Sequence, residues 1–508
     1  MNATRTILII LVAILAACST SKQDSLSIGA DDERIRYTGR WNFENPAAPW
    51  VSWQGSTVAV AFQGSGISAT LDFGDDGELL RVIVDGVPEE PARFVPGGKQ
   101  TIVLASGLDA QTGHIITLMK EEYATSNLIF HGFELADGEI AELPPRPEKR
   151  IAFFGDSNME GYSLYNEKND GSNGTYFAYP ATVTRMLGAE MYLQAAGSAN
   201  LDGPTGNDVV SFVNSKAFDS EDPNYDDGFE PHVIVVNAGA NDISQVDPSA
   251  IKETTKQHYR NAIAALRDAY GDAPHIILWN SYGWDKNEPA LYNQEIVDEV
   301  GGNLSKLDFA WCWEQWHGDM VDHSGQAWRL ANYIASLDLG FTLQRGLDVV
   351  NGYGEGYGVA NGSFEDAARD GYGGFGWRYF TDGVERVAVN DAADGSFVIR
   401  LESDELVHQC IDATGGIVAK PSRDSQQFQL TASIRSRGDS GKAVLGADHT
   451  AQNLYARENL EEQLFDVGPQ WQDYSITLNA PDGTWQTYVI LKSVEGELEF
   501  DNVRMQAL

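Results

Sequence analysis

The chain is 508 residues long and carries 74 acidic against 35 basic side chains, a formal net charge of −39, with 42% hydrophobic and 10% aromatic residues. At ~100–200 residues per domain there is room for about three domains, and so large an acidic excess excludes nucleic acids and anionic membrane surfaces as partners, because nothing would neutralise their phosphates. The 12 Trp, 20 Tyr and 21 Phe exclude a disordered chain, since they offer ample apolar surface to bury.

Arg5 precedes an apolar run from Ile7 to Ala17, shorter than the ~20 residues a membrane-spanning helix needs, so residues 1–18 read as an export signal. The run ends in Leu15-Ala16-Ala17-Cys18, which resembles the lipobox of bacterial lipoproteins. The resemblance implies lipidation of Cys18 and, with Ser19 following, sorting to the outer membrane, on its periplasmic or outer face. Residues 19–31 are polar and are expected to form a tether, so that the lipid anchor is the only membrane contact. Of the three cysteines, Cys312 and Cys410 remain after processing, far apart in sequence. One long-range disulfide or two buried thiols both fit, and neither is a disulfide framework. No close-spaced Cys and His suggest a metal site, and no cofactor is expected.

From residue 32 to 143 the pattern is one of short strands. Ile67, Ala69, Leu71 and Phe73 alternate with Ser68, Thr70 and Asp72, and Val58, Val60 and Phe62 alternate in the same way one strand earlier. Gly64-Ser65-Gly66 and Asp85-Gly86 read as hairpin turns, and further strands fit 101–105, 114–119 and 128–135. With no helical period, this segment is expected to be a β-sandwich.

Pro144, Pro145 and Pro147 mark a stiff linker. Beyond it, apolar strands at 150–154, 191–195, 232–236, 275–280 and 309–313 are separated by helix-like stretches such as 251–270. That alternation predicts an α/β domain over 150–340 with a mainly parallel sheet. A Gly- and Tyr-rich linker over 341–358 leads to a second β-sandwich over 359–508, opened by Asn361-Gly362-Ser363-Phe364-Glu365 and closed by Phe500-Asp501-Asn502-Val503.

The chemistry is sought at the carboxyl ends of the parallel strands, where open α/β sheets bind ligands. The first strand runs into Gly155-Asp156-Ser157, which would set Ser157 at a strand-to-helix turn. Gly197 follows the second strand and Asn241 the third. His323 lies beyond the last, before a helix with apolar residues at Ala327, Leu330, Ala331 and Ile334. Ser157 and His323 would be nucleophile and base, with Gly197 and Asn241 as oxyanion donors.

Those four blocks make the α/β domain resemble the SGNH (GDSL) hydrolases. The preceding sandwich resembles the N-terminal jelly roll of carbohydrate esterase family 2, through Tyr37-Thr38-Gly39-Arg40-Trp41, Val84-Asp85-Gly86, Gly107-Leu108, Gly113-His114 and Lys120. The resemblance spans residues 32–340 and implies a serine esterase that removes O-acetyl groups from polysaccharides such as xylan or glucomannan. It also implies an oxyanion hole from the N–H groups of Ser157 and Gly197 and the side chain of Asn241. The family pattern departs at the acid. Met320 and Val321 stand three and two residues before His323, where an Asp is usual, so a Ser–His dyad and a triad using Asp319 both stay open. The C-terminal sandwich resembles carbohydrate-binding modules, and a monomer is expected.

Rival readings are a lipase or thioesterase acting on longer acyl chains, and a surface glycan-binding lipoprotein with little activity. His317 is the rival base, and His258 and His275 read as structural. Gly371-Tyr372-Gly373-Gly374-Phe375-Gly376 has dinucleotide-loop spacing but opens no helix. The acidic run 219–227 lacks the spacing of a calcium loop and reads as a solvated insertion. Trp284, beyond a central strand, is a candidate sugar platform. The acidic surface suits salt-rich surroundings, where charges are screened.

Overall fold

The alternating segments fold as strands with one face inward. In the computed structural model of the chain, Ile67, Ala69, Leu71 and Phe73 are buried while Ser68, Thr70 and Asp72 are half-buried. The structure describes residues 25–508 apart from 165–172, 311–316, 345–358, 366–376, 411–425, 451–458 and the shorter stretches 76, 90, 123–125, 219, 222–225, 227, 283, 319, 360, 380–383 and 485. Cys18, Asp319, Cys312, the glycine run 371–376 and most of the acidic run 219–227 lie outside the described residues.

The N-terminal sandwich consists of two antiparallel sheets. One contains Leu26–Gly29, Leu128–Leu135, Gly66–Asp72 and Gln100–Ser106, and the other Glu139–Ala141, Thr57–Gln63, Gly113–Lys120 and Glu78–Val84 with shorter flanking strands. Two expectations need correction. Gly64-Ser65-Gly66 is no hairpin turn, because Thr57–Gln63 pairs with Gly113–Lys120 while Gly66–Asp72 pairs with Leu128–Leu135 in the opposite sheet. The tight glycine turn passes the chain between layers. Residues 26–29, assigned to the tether, form an edge strand against Leu128–Leu135.

The α/β domain has five parallel strands: β1 (Arg150–Gly155), β2 (Glu190–Ala195), β3 (Val233–Asn237), β4 (His275–Tyr282) and β5 (Leu304–Ala310), in the order β2-β1-β3-β4-β5. The last strand starts five residues earlier than the apolar run 309–313 suggests. Chain order reverses at β1, so a crevice opens at the carboxyl ends of β1 and β3. The helices are α1 (Ser157–Glu160), α2 (Tyr179–Leu187), α3 (Val209–Val213), α4 (Ala240–Gln245), α5 (Ile251–Tyr270), α6 (Asn293–Val300) and α7 (Met320–Ser336).

The sandwich is fused to this domain, and a single apolar core runs from Ile28 and Trp53 through to Phe154, Phe212 and Leu278. Buried Arg40 donates to the carbonyls of Phe212 (2.6 Å), Val213 (3.2 Å) and Ser215 (2.6 Å) and to Tyr270 Oη (2.9 Å), gathering carbonyls at the end of α3 and just beyond it. Trp53 Nε1 donates to the Ser215 carbonyl as well.

The C-terminal sandwich pairs two five-stranded antiparallel sheets around a separate core of Phe364, Trp377, Ile399, Leu430, Leu445, Val489 and Phe500. Its two ends are stapled together where Val503 N–H donates to the Gly362 carbonyl at 2.8 Å. Among the described residues no helix is long and apolar enough to cross a membrane.

Candidate active site

The Gly155-Asp156-Ser157 turn is built by backbone pairing and a cap. Asp156 N–H donates to the Asn237 carbonyl at 3.1 Å, locking the end of β1 to β3, and its carboxylate accepts the Asn158 N–H at 3.0 Å as the N-cap of α1. Burial pushes the Asp156 carboxyl up to about 7. Ser157 is therefore the first helical residue beyond the strand.

The histidine in contact with Ser157 is His317, whose Nε2 lies 2.9 Å from Ser157 Oγ. His317 stands in the segment between β5 and α7, and the Tyr162 ring packs against it with centroids 4.5 Å apart. Burial pushes its imidazole down to about 4, so the ring is neutral at pH 7 and its Nε2 can accept the serine proton.

His323, assigned as base from sequence, is placed elsewhere. The last helix begins at Met320, so His323 belongs to its first turn rather than to the loop before it. It is fully buried, its Nδ1 accepts the Tyr179 N–H at 3.1 Å, and its ring stacks on Tyr179. Ala178, the N-cap of α2, supplies no side-chain cap, and His323 satisfies a first-turn N–H in its place. In this position it caps the first turn of α2, and the contact with Ser157 Oγ is made by His317.

Gly197 and Asn241 follow β2 and β3 as the sequence suggests. Gly197 faces α1, with the Glu160 carboxylate 3.7 Å from where its side chain would begin. Asn241 lies in α4, which starts directly after β3 because Gly239 adopts φ +118°, a conformation that L side chains rarely take. Its Nδ2 donates to the Ala199 carbonyl at 2.9 Å, which leaves the second amide hydrogen for another acceptor. Asp242 ties this turn down by accepting the Leu201 N–H at 2.9 Å and facing His258 Nδ1 at 2.6 Å. His258 and His275 thus have structural partners, Asp242 and Ser305. Trp284 is half-buried against the core, with its backbone N–H on Glu288 and its indole N–H on the Ser281 carbonyl. Among the described residues no group of three His, Cys, Asp or Glu could hold a metal.

The N-terminal sandwich reaches this site directly. Gln54 Nε2 donates to the Ala195 carbonyl at 2.7 Å, two residues before Gly197. Glu121, paired with buried Arg81 at 2.6 Å, accepts the N–H groups of Thr175 and Tyr176.

Residues 37–145 match the carbohydrate esterase 2 N-terminal family, and residues 153–317 the GDSL-like lipase/acylhydrolase family, a match that ends on His317. Residues 37–317 are thus similar, segment by segment, to the family 2 carbohydrate esterases. The cellulase/esterase CelE of Acetivibrio thermocellus is 28% identical over 338 residues, 61% of this chain. The chain spans 40% of the length of that relative. The acetylxylan esterase / glucomannan deacetylase of Cellvibrio japonicus is 25% identical over 323 residues, covering 59% of this chain and 83% of the relative. Among solved structures, a family two carbohydrate esterase from Clostridium thermocellum in complex with cellohexaose is 26% identical, with a TM-score of 0.53 over 60% of this chain and 99% of its own. Both family matches fall within the first two domains, ahead of the C-terminal sandwich.

Proposed function

We propose that the protein is a serine esterase that removes O-acetyl groups from polysaccharides through an acyl-enzyme, with Ser157 as nucleophile and His317 as base. The observation that carries this reading is the 2.9 Å contact between Ser157 Oγ and His317 Nε2 at the carboxyl edge of the sheet. The names of the relatives, an acetylxylan esterase / glucomannan deacetylase and a cellulase/esterase, support acetylated plant glycans as the substrate class.

In this mechanism neutral His317 takes the proton as Ser157 Oγ attacks the acetyl carbonyl. The backbone N–H groups of Ser157 and Gly197 and the free amide hydrogen of Asn241 receive the oxyanion. His317 then protonates the departing sugar hydroxyl. Water, deprotonated by the same imidazole, attacks the acetyl-serine and releases acetate.

Acetate release from acetylated xylan, glucomannan and pectin tests the reading. Wild type is expected to deacetylate at least one, and Ser157→Ala to lose activity by ~10³-fold or more; no release from any of them would favour a glycan-binding role. A strong preference for octanoyl over acetyl model esters would point to the lipase reading. Because His317 must be neutral to act and its value lies near 4, activity is expected to persist through pH 5 and to fall by half near pH 4, well below the range of an ordinary histidine. We further propose export as a lipoprotein anchored through Cys18, supported by the apolar run and the cysteine that ends it. Labelling with radioactive palmitate, abolished in Cys18→Ala, tests it.

A further inference from the structure

One buried acid at the active site has no part in the mechanism above. Glu160 ends α1, three residues after Ser157, and is almost completely buried. Its Oε2 lies 3.7 Å from where a side chain on Gly197 would begin, close enough for the Gly197 N–H to favour the ionised form but without a formed hydrogen bond. That N–H is one of the three donors assigned to the oxyanion.

We propose that Glu160 is a positioning residue of the oxyanion hole, whose carboxyl group lies against the Gly197 backbone and must be uncharged for that N–H to serve the reaction. The inference rests on the esterase reading. An ionised carboxylate there would compete for the donor and set a negative charge beside the one developing on the substrate, in a site where little water screens either. A neutral carboxyl is a weaker acceptor and yields the N–H when the oxyanion forms.

The surroundings favour the neutral form. The groups facing Glu160 are Lys120 from strand Gly113–Lys120, Glu122 just beyond it and Asp156 at the head of α1. Lys120 is fully buried and committed to Glu78, with Nζ 2.7 Å from Glu78 Oε1. Burial outweighs the Lys120 attraction, the two acids oppose ionisation further, and the carboxyl is pushed up to about 8. The site would therefore be competent at neutral pH and lose activity as pH rises through about 8.

Two measurements on the full chain decide the matter. The first is the pH profile of kcat/KM on an aryl acetate, for wild type and Glu160→Gln. Wild type should lose activity with a midpoint near pH 8. The variant, with a neutral amide, should lack that fall while its plateau drops by about threefold to tenfold. If Glu160→Gln does not fold, Glu160→Met, similar in size and also neutral, takes its place. The second is the chemical shift of the Gly197 amide, which should titrate near pH 8 in wild type. A fall that persists in the neutral variants, or a Gly197 amide that does not titrate, would overturn the proposal. If wild type hydrolyses no ester, the esterase reading fails and the Gly197 titration still decides whether the acid controls that N–H.

Discussion

The two β-sandwiches of this chain relate to the central domain in different ways. The N-terminal one shares its core with the α/β domain and sends polar side chains into it: Arg40 under α3, Gln54 on the Ala195 carbonyl and Glu121 on the Thr175–Tyr176 backbone. The C-terminal one has a core of its own and a staple between its own ends. Similar architecture therefore serves two purposes. One sandwich is continuous with the core of the α/β domain, and the other is built around a core of its own.

That contrast can be broken or sharpened by mutation. The largest effect is expected from Arg40→Ala, which removes a buried donor shared by the carbonyls of Phe212, Val213 and Ser215 and the Tyr270 hydroxyl. A loss of about 3–5 kcal/mol in urea unfolding of the first two domains is expected, and an unchanged midpoint would mean the seam is not a structural joint. Gln54→Leu removes one buried donor beside the oxyanion turn; a cost of about 1–3 kcal/mol is expected, with a fall in kcat that exceeds any change in KM. Equal stability and equal kcat would detach the sandwich from catalysis. The smallest effect should come from ending the chain at Gln344, which ought to leave kcat on an aryl acetate within about twofold, since additivity holds for independent units. A collapse in activity would show that the C-terminal sandwich is part of the catalytic unit after all. The fragment 359–508, with its separate core, can be tested for glycan binding by affinity electrophoresis.

Much of this was legible in the residues. Period-two alternation identified both faces of the strands, and the placement of Ser157, Gly197 and Asn241 just beyond β1, β2 and β3 follows directly from apolar strands that run into Gly-Asp-Ser, Ala-Gly-Ser and Ala-Gly-Ala-Asn. The choice between the two histidines was hard to read because both sit near the start of α7, and the helix begins earlier than its apolar run indicates. A usable signal was present. His323, Ala327, Leu330, Ala331 and Ile334 stand at i, i+4, i+7, i+8 and i+11, all on the buried helical face, whereas His317 precedes the helix in the segment after β5. A histidine continuing an apolar stripe is core, and the one outside it is available to the substrate. Gln54 and Glu160 gave no such signal. Their importance comes from contacts with Ala195 and Gly197, across domains or between turns, and no local pattern encodes such contacts.

The identity of the base is the claim on which the account turns, and paired histidine variants test it most directly. In single-turnover assays on an aryl acetate, with the folded fraction measured by circular dichroism, His317→Ala should lose ~10⁴-fold or more in activity while keeping wild-type stability. His323→Ala should lower the melting temperature by uncapping α2, while its folded fraction keeps activity within about tenfold of wild type. Retained activity in His317→Ala together with an inactive but fully folded His323→Ala would contradict the account.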